Sequence, residues 1–323
     1  MDNMSEDNLM VTIRCITYNH AKYIRQCLDG FIMQKTSFRF DVFVHDDAST
    51  DGTDLIIKEY AEKYPDIIKP YFETENQYSK HDGSFQRITF NPSYLKGKYI
   101  ALCEGDDYWI DPDKLQKQVD FLEKNGDYVI CCHDFKVYSE NNQRFTFDSV
   151  YSGIVQFPYS LDLDNYFKGD WIQPLTCIYR NIVSVNELLV NKYKYFRDRV
   201  FFYYLLTKGK GCLLPDVMGV YRKHSAGILS GNEPVNNYYI YMSIALQLYA
   251  NENEPRAFEL YKRHALGLLN YQWNKKQKIE LFKNLYFIIK RVPIRIAFSI
   301  MSTFSKSLLK NKYSALLNKW QLM

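Results

Sequence analysis

Apolar and polar positions follow two rhythms along the first two thirds of the chain. Short apolar runs at Met10–Ile16, Phe40–His45, Ile67–Phe72, Tyr99–Cys103 and Tyr128–His133 are rich in β-branched or aromatic residues and end at turn formers, so each reads as a strand. Between them the apolar residues recur at helical spacing. Tyr23, Ile24, Cys27, Leu28, Phe31 and Ile32 follow the first run, and Leu55, Ile56, Ile57, Tyr60 and Ala61 follow the second. Strand and helix in alternation predict an α/β fold on a largely parallel sheet. Leu115, Val119, Phe121 and Leu122 give a further helix, and residues 139–165 lack a period and predict a loop or hairpin insertion. Leu175–Tyr179 and Leu213–Tyr221 read as later strands, while Val183–Val190 and the run opening at Asp198 read as helices.

Chemistry enters where strands stop. Two runs end in paired aspartates, Asp46-Asp47 within DDASTDGT and Asp106-Asp107 within YIALCEGDDYW. Right-handed parallel crossovers place such ends on one side of a sheet, the edge where α/β proteins bind ligands. Carboxylates crowded there repel one another unless a cation lies among them, and a divalent ion suits Glu104, Asp106 and Asp107. The plainer alternative for either pair is an acidic turn that caps the next helix, and Thr50 is expected in a capping role. Recurrence of the pair at two strand ends favours a ligand. Asp198 sits at a helix start, where the macrodipole alone would favour an acid. Arg222-Lys223-His224 follows the last strand and suits phosphate.

Composition narrows the class. At 323 residues and 46% hydrophobic content, the chain can bury a large core. Seven cysteines without metal-ligand spacing read as buried thiols of a reducing compartment, and the polar, acidic opening MDNMSEDNLM is no signal peptide, so a cytoplasmic location is expected. No G-x-G-x-x-G follows a strand, which argues against a nicotinamide dehydrogenase, and no H-E-x-x-H or paired-cysteine spacing suggests a zinc hydrolase. A nucleotidyltransferase would want a Gly-rich basic loop after the first strand, which Thr17–Lys22 is not.

The ordered set of motifs resembles the inverting family 2 glycosyltransferases. It comprises Thr17-Tyr18-Asn19, DDASTDGT at 46–53, Glu75-Asn76-Gln77, GKYIALCEGDDYW at 97–109, an aspartate at a helix start, and Val-Tyr-Arg-Lys-His at 220–224. The resemblance covers about residues 10–230 and is closest to enzymes of bacterial surface polysaccharide synthesis. It implies an α/β GT-A fold, Rossmann-like, with a doubly wound and mostly parallel sheet. It also implies a nucleotide-sugar donor, most simply a UDP-sugar, and a glycan or lipid-linked acceptor. Thr17, Tyr18 and Asn19 would line the nucleotide pocket, with Asp46 or Asp47 accepting from the base. Glu104-Gly105-Asp106 stands where the family carries Asp-x-Asp, so Asp106, with Asp107 beside it, would bind Mn²⁺ or Mg²⁺, and Glu104 would contact ribose or metal. Asp198 would be the catalytic base, and His224 with Arg222 would lie by the diphosphate. A non-catalytic nucleotide-sugar- or glycan-binding module of the same fold is the alternative.

Residues 1–232 are thus expected to form the catalytic domain, with a nucleotide-sugar half to about 110 and an acceptor half beyond it. Residues 233–323 are expected to form a basic, mostly helical extension. The electrostatics differ sharply between the two: residues 255–323 hold 14 Lys/Arg against two Glu, a net charge of +12, and the rest of the chain carries −8. No apolar span is long enough to cross a bilayer. The extension suits either a membrane surface, on the inner face of the plasma membrane, or a second subunit; nucleic acid is not an expected partner.

Overall fold

The computed structural model describes residues 9–151, 153, 158–168, 172–183, 192–193, 196–227 and 234–320, with side chains as far as 308. The helix expected over 183–190 lies almost wholly outside these residues. Two compact units partition the chain, residues 1–166 with 170–231 and residues 167–169 with 232–323.

The first unit is built on one mixed sheet in the order β3-β2-β1-β4-β9-β6-β10-β5. Here β1 is Leu9–Thr17, β2 Arg39–Asp46, β3 Ile68–Phe72, β4 Tyr99–Glu104, β5 Tyr108–Trp109, β6 Tyr128–Ser139, β9 Ile178–Arg180 and β10 Lys210–Lys223. Two short strands, β7 (Arg144–Phe147) and β8 (Tyr159–Leu161), pair with β6 and β10, so the 139–165 insertion contains a hairpin return. Pairing is parallel through β3-β2-β1-β4 and again between β6 and β10. Strand β9 runs antiparallel between these blocks. The expected strand Leu175–Tyr179 is shorter and later, because Pro174–Thr176 form a turn of 3₁₀ helix. The two-residue strand β5 was invisible to periodicity.

Alternation along β1 explains how the sheet is dressed. Val11, Ile13 and Cys15 join Val42 and Val44 of β2 and Tyr99, Ala101 and Cys103 of β4 in the core, under helices Ile24–Ile32, Thr53–Lys63 and Lys114–Lys124. Helix Ile24–Ile32 buries Ile24, Cys27, Leu28 and Phe31, the spacing of one helical face. It lies close on β5: a Cβ at Gly30 would come within 3.0 Å of the Trp109 backbone nitrogen, and Phe31 meets the Trp109 ring edge-on at 4.9 Å. The opposite face of β1 carries Arg14, whose register partners are Phe43 and Leu102.

The second unit consists of helices Pro234–Glu252, Ala257–Asn274, Lys278–Ile289 and Ile294–Trp320. Leu248, Leu260, Tyr261, Leu268 and Ile300 are buried among them, and the Tyr261 hydroxyl donates to the Ile288 carbonyl at 3.1 Å. No described helix is long and apolar enough to cross a membrane.

Candidate active site

Register alone brings the motifs together. Thr17 pairs with Asp46 at the carboxyl end of β1–β2, and Ile16 pairs with Glu104 on the other side, so the two aspartate turns flank the β1 loop. Gly105 then passes so close to that loop that a Cβ would lie 2.9 Å from Thr17 Cβ and 3.0 Å from His20 Nδ1. Only glycine allows the acidic turn to approach this far.

The first turn is closed by its own contacts. Ser49 gives Asp46 two hydrogen bonds, from its backbone N–H at 3.1 Å and its hydroxyl at 2.5 Å. Burial raises the Asp46 pKa, and those bonds oppose the rise. Asp47 accepts the backbone N–H groups of Gln77 at 2.7 Å and Tyr78 at 3.0 Å, which fastens the Glu75-Asn76-Gln77 segment beneath the sheet edge. Asn19, at φ 55°, accepts from Thr50 N–H at 2.8 Å, and its own N–H donates to the Ser49 hydroxyl. The expected helix cap at Thr50 is corrected: Asp51 accepts from both the N–H and the hydroxyl of Thr53. Tyr18 stands 45% exposed beside this loop.

The second turn is held from a distance. Arg222 donates its backbone N–H to Asp107 Oδ1 at 2.8 Å and its Nε to the Asp106 carbonyl at 2.8 Å. The rest of its guanidinium bonds Glu140 at 3.0 Å and Gln26 at 2.7 Å, stacked between Tyr23 and Tyr108. Each guanidinium nitrogen thus has an internal acceptor, and Arg222 clamps the acidic turn. Asp107 is held by the same residue. It is buried and tied to β10, and burial beside Asp106 pushes its pKa well above the carboxylate range.

Asp106 differs from the other three. Its Oδ2 meets His224 Nε2 at 2.9 Å and lies 3.9 Å from His20 Nε2, while its Oδ1 is buried with no hydrogen-bond partner. Burial works against the charge, but the His224 bond and the two imidazoles outweigh it and hold the pKa below the ordinary value. Burial lowers the His20 pKa, against the pull of the Asp106 charge. One hard carboxylate oxygen without a partner is the donor type that Mg²⁺ or Mn²⁺ takes. No cluster of three His, Cys, Asp or Glu able to hold a metal unaided exists among the described residues.

Glu104 and Asp198 form a second acidic group. Glu104 has an edge open to solvent but is crowded by protein elsewhere. That crowding, with the charges of Asp106 and Asp198, pushes its carboxyl up to about 7. Asp198 opens helix Asp198–Leu206, partly exposed, with Oδ1 accepting the Arg199 N–H at 2.8 Å. Desolvation raises its pKa against the opposing charges of Arg199, Arg197 and Arg14. Sequence reasoning missed Arg14 and His20. Arg14 is 8% exposed, its guanidinium 4.2 Å over the Phe90 ring and its Nε without a partner, and its field reaches both Glu104 and Asp198. A lone cation in a strand otherwise rich in apolar residues was the available signal.

Several known proteins are similar to this chain. An uncharacterized protein of Mycobacterium tuberculosis is 36% identical over 223 residues, 68% of this chain and 60% of that protein. A putative teichuronic acid biosynthesis glycosyltransferase of Bacillus subtilis, TuaG, is 28% identical over 169 residues, 52% of this chain and 60% of its own length. The chain thus spans about 60% of the length of these curated relatives. The crystal structure of S. aureus TarS residues 1–349 with UDP-GlcNAc shares the fold, with a TM-score of 0.59 at 20% identity over 89% of this chain and 83% of that one. The model of the family described as glycosyl transferase family 2 matches residues 12–178, over half of the chain, and the chain belongs to that family.

Proposed function

We propose that the protein transfers a sugar from a nucleoside diphosphate sugar, most simply a UDP-sugar, to a glycan or lipid-linked hydroxyl, with inversion, in bacterial surface polysaccharide synthesis. The observation that carries this is the asymmetry of the acidic turn: of Glu104, Asp106 and Asp107, it is Asp106 that retains a buried carboxylate oxygen without a partner. The similarity to TuaG, a putative teichuronic acid biosynthesis glycosyltransferase, and to TarS, which binds UDP-GlcNAc, supports this reading in substrate and setting.

In this reading Asp106 holds the ion, and His224 and His20 hold Asp106. A Mg²⁺ or Mn²⁺ ion bound there supplies positive charge to the departing diphosphate. Thr17 and Gly105 form the close-packed floor, and the Thr17 hydroxyl, buried and without a partner, faces the nucleotide side. Tyr18 and the Asn19–Ser49 loop receive the base, and Asp46, beside that loop, accepts its imide N–H through a second lone pair. Glu104 orients the ribose or sugar hydroxyls. Asp198 takes the proton from the acceptor hydroxyl as it attacks the anomeric carbon, and desolvation, which raises its pKa, makes it a stronger base. A single base without a partner nucleophile calls for direct displacement.

The test is a thermal-shift panel of nucleotide sugars with and without Mn²⁺, followed by product analysis. One donor should stabilise the protein in a metal-dependent way. Asp198→Asn should keep that stabilisation and lose turnover. A product of retained anomeric configuration, or full turnover in Asp198→Asn, overturns the mechanism.

A further inference from the structure

The helices at the end of the chain bury one stripe and leave another bare. In Lys278–Ile289 the inner stripe is Leu281, Asn284 and Ile288. Ile279, Phe282 and Tyr286, three and four residues apart, form an outer stripe exposed by 63–73%. In the next helix Ile294 and Phe298, one turn apart, are 78% and 65% exposed. These five make up the most exposed apolar segment among the described residues, and all fall within twenty consecutive positions.

Charge selects what covers them. Residues 275–298 contain seven Lys/Arg and one acid, Glu280, which Lys283 engages at 3.0 Å. Lys290 lies 5.7 Å over the Tyr286 ring, at the margin of the apolar stripe. A second copy would set one strongly basic face against another, which is repulsive. An acidic macromolecule without an apolar layer would satisfy the bases and leave Phe282 and Ile294 in water. An anionic bilayer satisfies both, taking apolar side chains about 5–10 Å into the headgroup boundary and gaining about 1 kcal/mol per Lys or Arg at its surface.

We propose that the face formed by Ile279, Phe282, Tyr286, Ile294 and Phe298, with its rim of Lys290 and Arg295, docks the protein on the surface of an anionic lipid bilayer. The proposal is independent of the transfer reaction. The helices lie along the surface and do not cross it.

Flotation of the full chain with vesicles tests this, comparing mixed phosphatidylglycerol and phosphatidylcholine with phosphatidylcholine alone. Wild type should float with the anionic vesicles only, less at high salt. Ile279→Ser with Phe282→Ser should abolish flotation at every salt concentration. Lys290→Glu with Arg295→Glu should weaken it at least about tenfold at low salt. All four sites are exposed, so unchanged melting curves verify folding. Wild type that stays with the soluble fraction, or an Ile279/Phe282 variant that still floats, overturns the proposal. A concentration-dependent dimer dissolved by the same substitutions overturns it too and assigns the face to a second copy.

Discussion

Asp46-Asp47 and Asp106-Asp107 are the same dipeptide at the same kind of place, the carboxyl end of a parallel strand, and they do different work. The first pair is satisfied by residues nearby or within the same half: Ser49 on Asp46, and the N–H groups of Gln77 and Tyr78 on Asp47. The second pair is held by residues more than a hundred positions away, Arg222 and His224, and one oxygen is left over. A carboxylate builds a loop when the chain supplies all its donors. It is available to a ligand when long-range contacts orient it without saturating it.

The comparison can be broken in five ways. Asp106→Asn keeps a hydrogen-bonding group near His224 but removes the charge, and turnover should fall about 10³-fold, as befits loss of several kcal/mol of metal stabilisation, with little change in melting temperature. Asp47→Ala should do the reverse. It leaves two backbone N–H groups without their acceptor and should cost about 2–4 kcal/mol in denaturant unfolding. Normal stability with lost turnover in Asp47→Ala would erase the distinction between the turns.

The third way concerns acid. His45, one residue before Asp46, is fully buried with its Nε2 3.3 Å from Glu73, and burial followed by the charge of Arg14 brings its pKa down to about 4. The folded value lies below the unfolded one, so the neutral ring's contribution is complete above about pH 6.5 and is lost as pH falls toward 4. That loss is about 3 kcal/mol at most, and His45→Phe should flatten the slope of stability over that window. Fourth, Gly105→Ala puts a methyl 2.9 Å from Thr17 Cβ and should cost about 1–3 kcal/mol, with donor affinity falling as well. Smallest is Arg14→Met, which removes a charge that favours ionised Asp198. The acidic limb of kcat should move to higher pH, and an unmoved limb would deny Arg14 that influence.

Much of the fold was legible because its signals are local. The apolar spacing of Ile24, Cys27, Leu28 and Phe31, and the β-branched runs of β1 and β2, need no distant partner to be read. The order of motifs also sufficed to bring Thr17, Asp106 and His224 to one place. What escaped depends on long-range pairing. Tyr108–Trp109 is a strand only because β10 returns beside it, and the clamp that Arg222 makes needs Glu140, Gln26 and the Asp106 carbonyl around it. The pull of Thr53 on Asp51, rather than a cap at Thr50, likewise turns on loop geometry that composition does not encode.

Trp109 lies two residues past Asp107, its ring packed on Phe31, its Nε1 bonded to the Leu175 carbonyl at 2.8 Å, and the buried Lys114 ammonium 3.8 Å above it. Trp273, the other tryptophan with a described side chain, is 45% exposed. With Trp171 and Trp320 replaced by phenylalanine, acrylamide will therefore silence Trp273 first and leave a blue-shifted emission from an indole fixed to the acidic turn. The protein carries its own optical gauge there, one that reads nucleotide or metal arrival without a label.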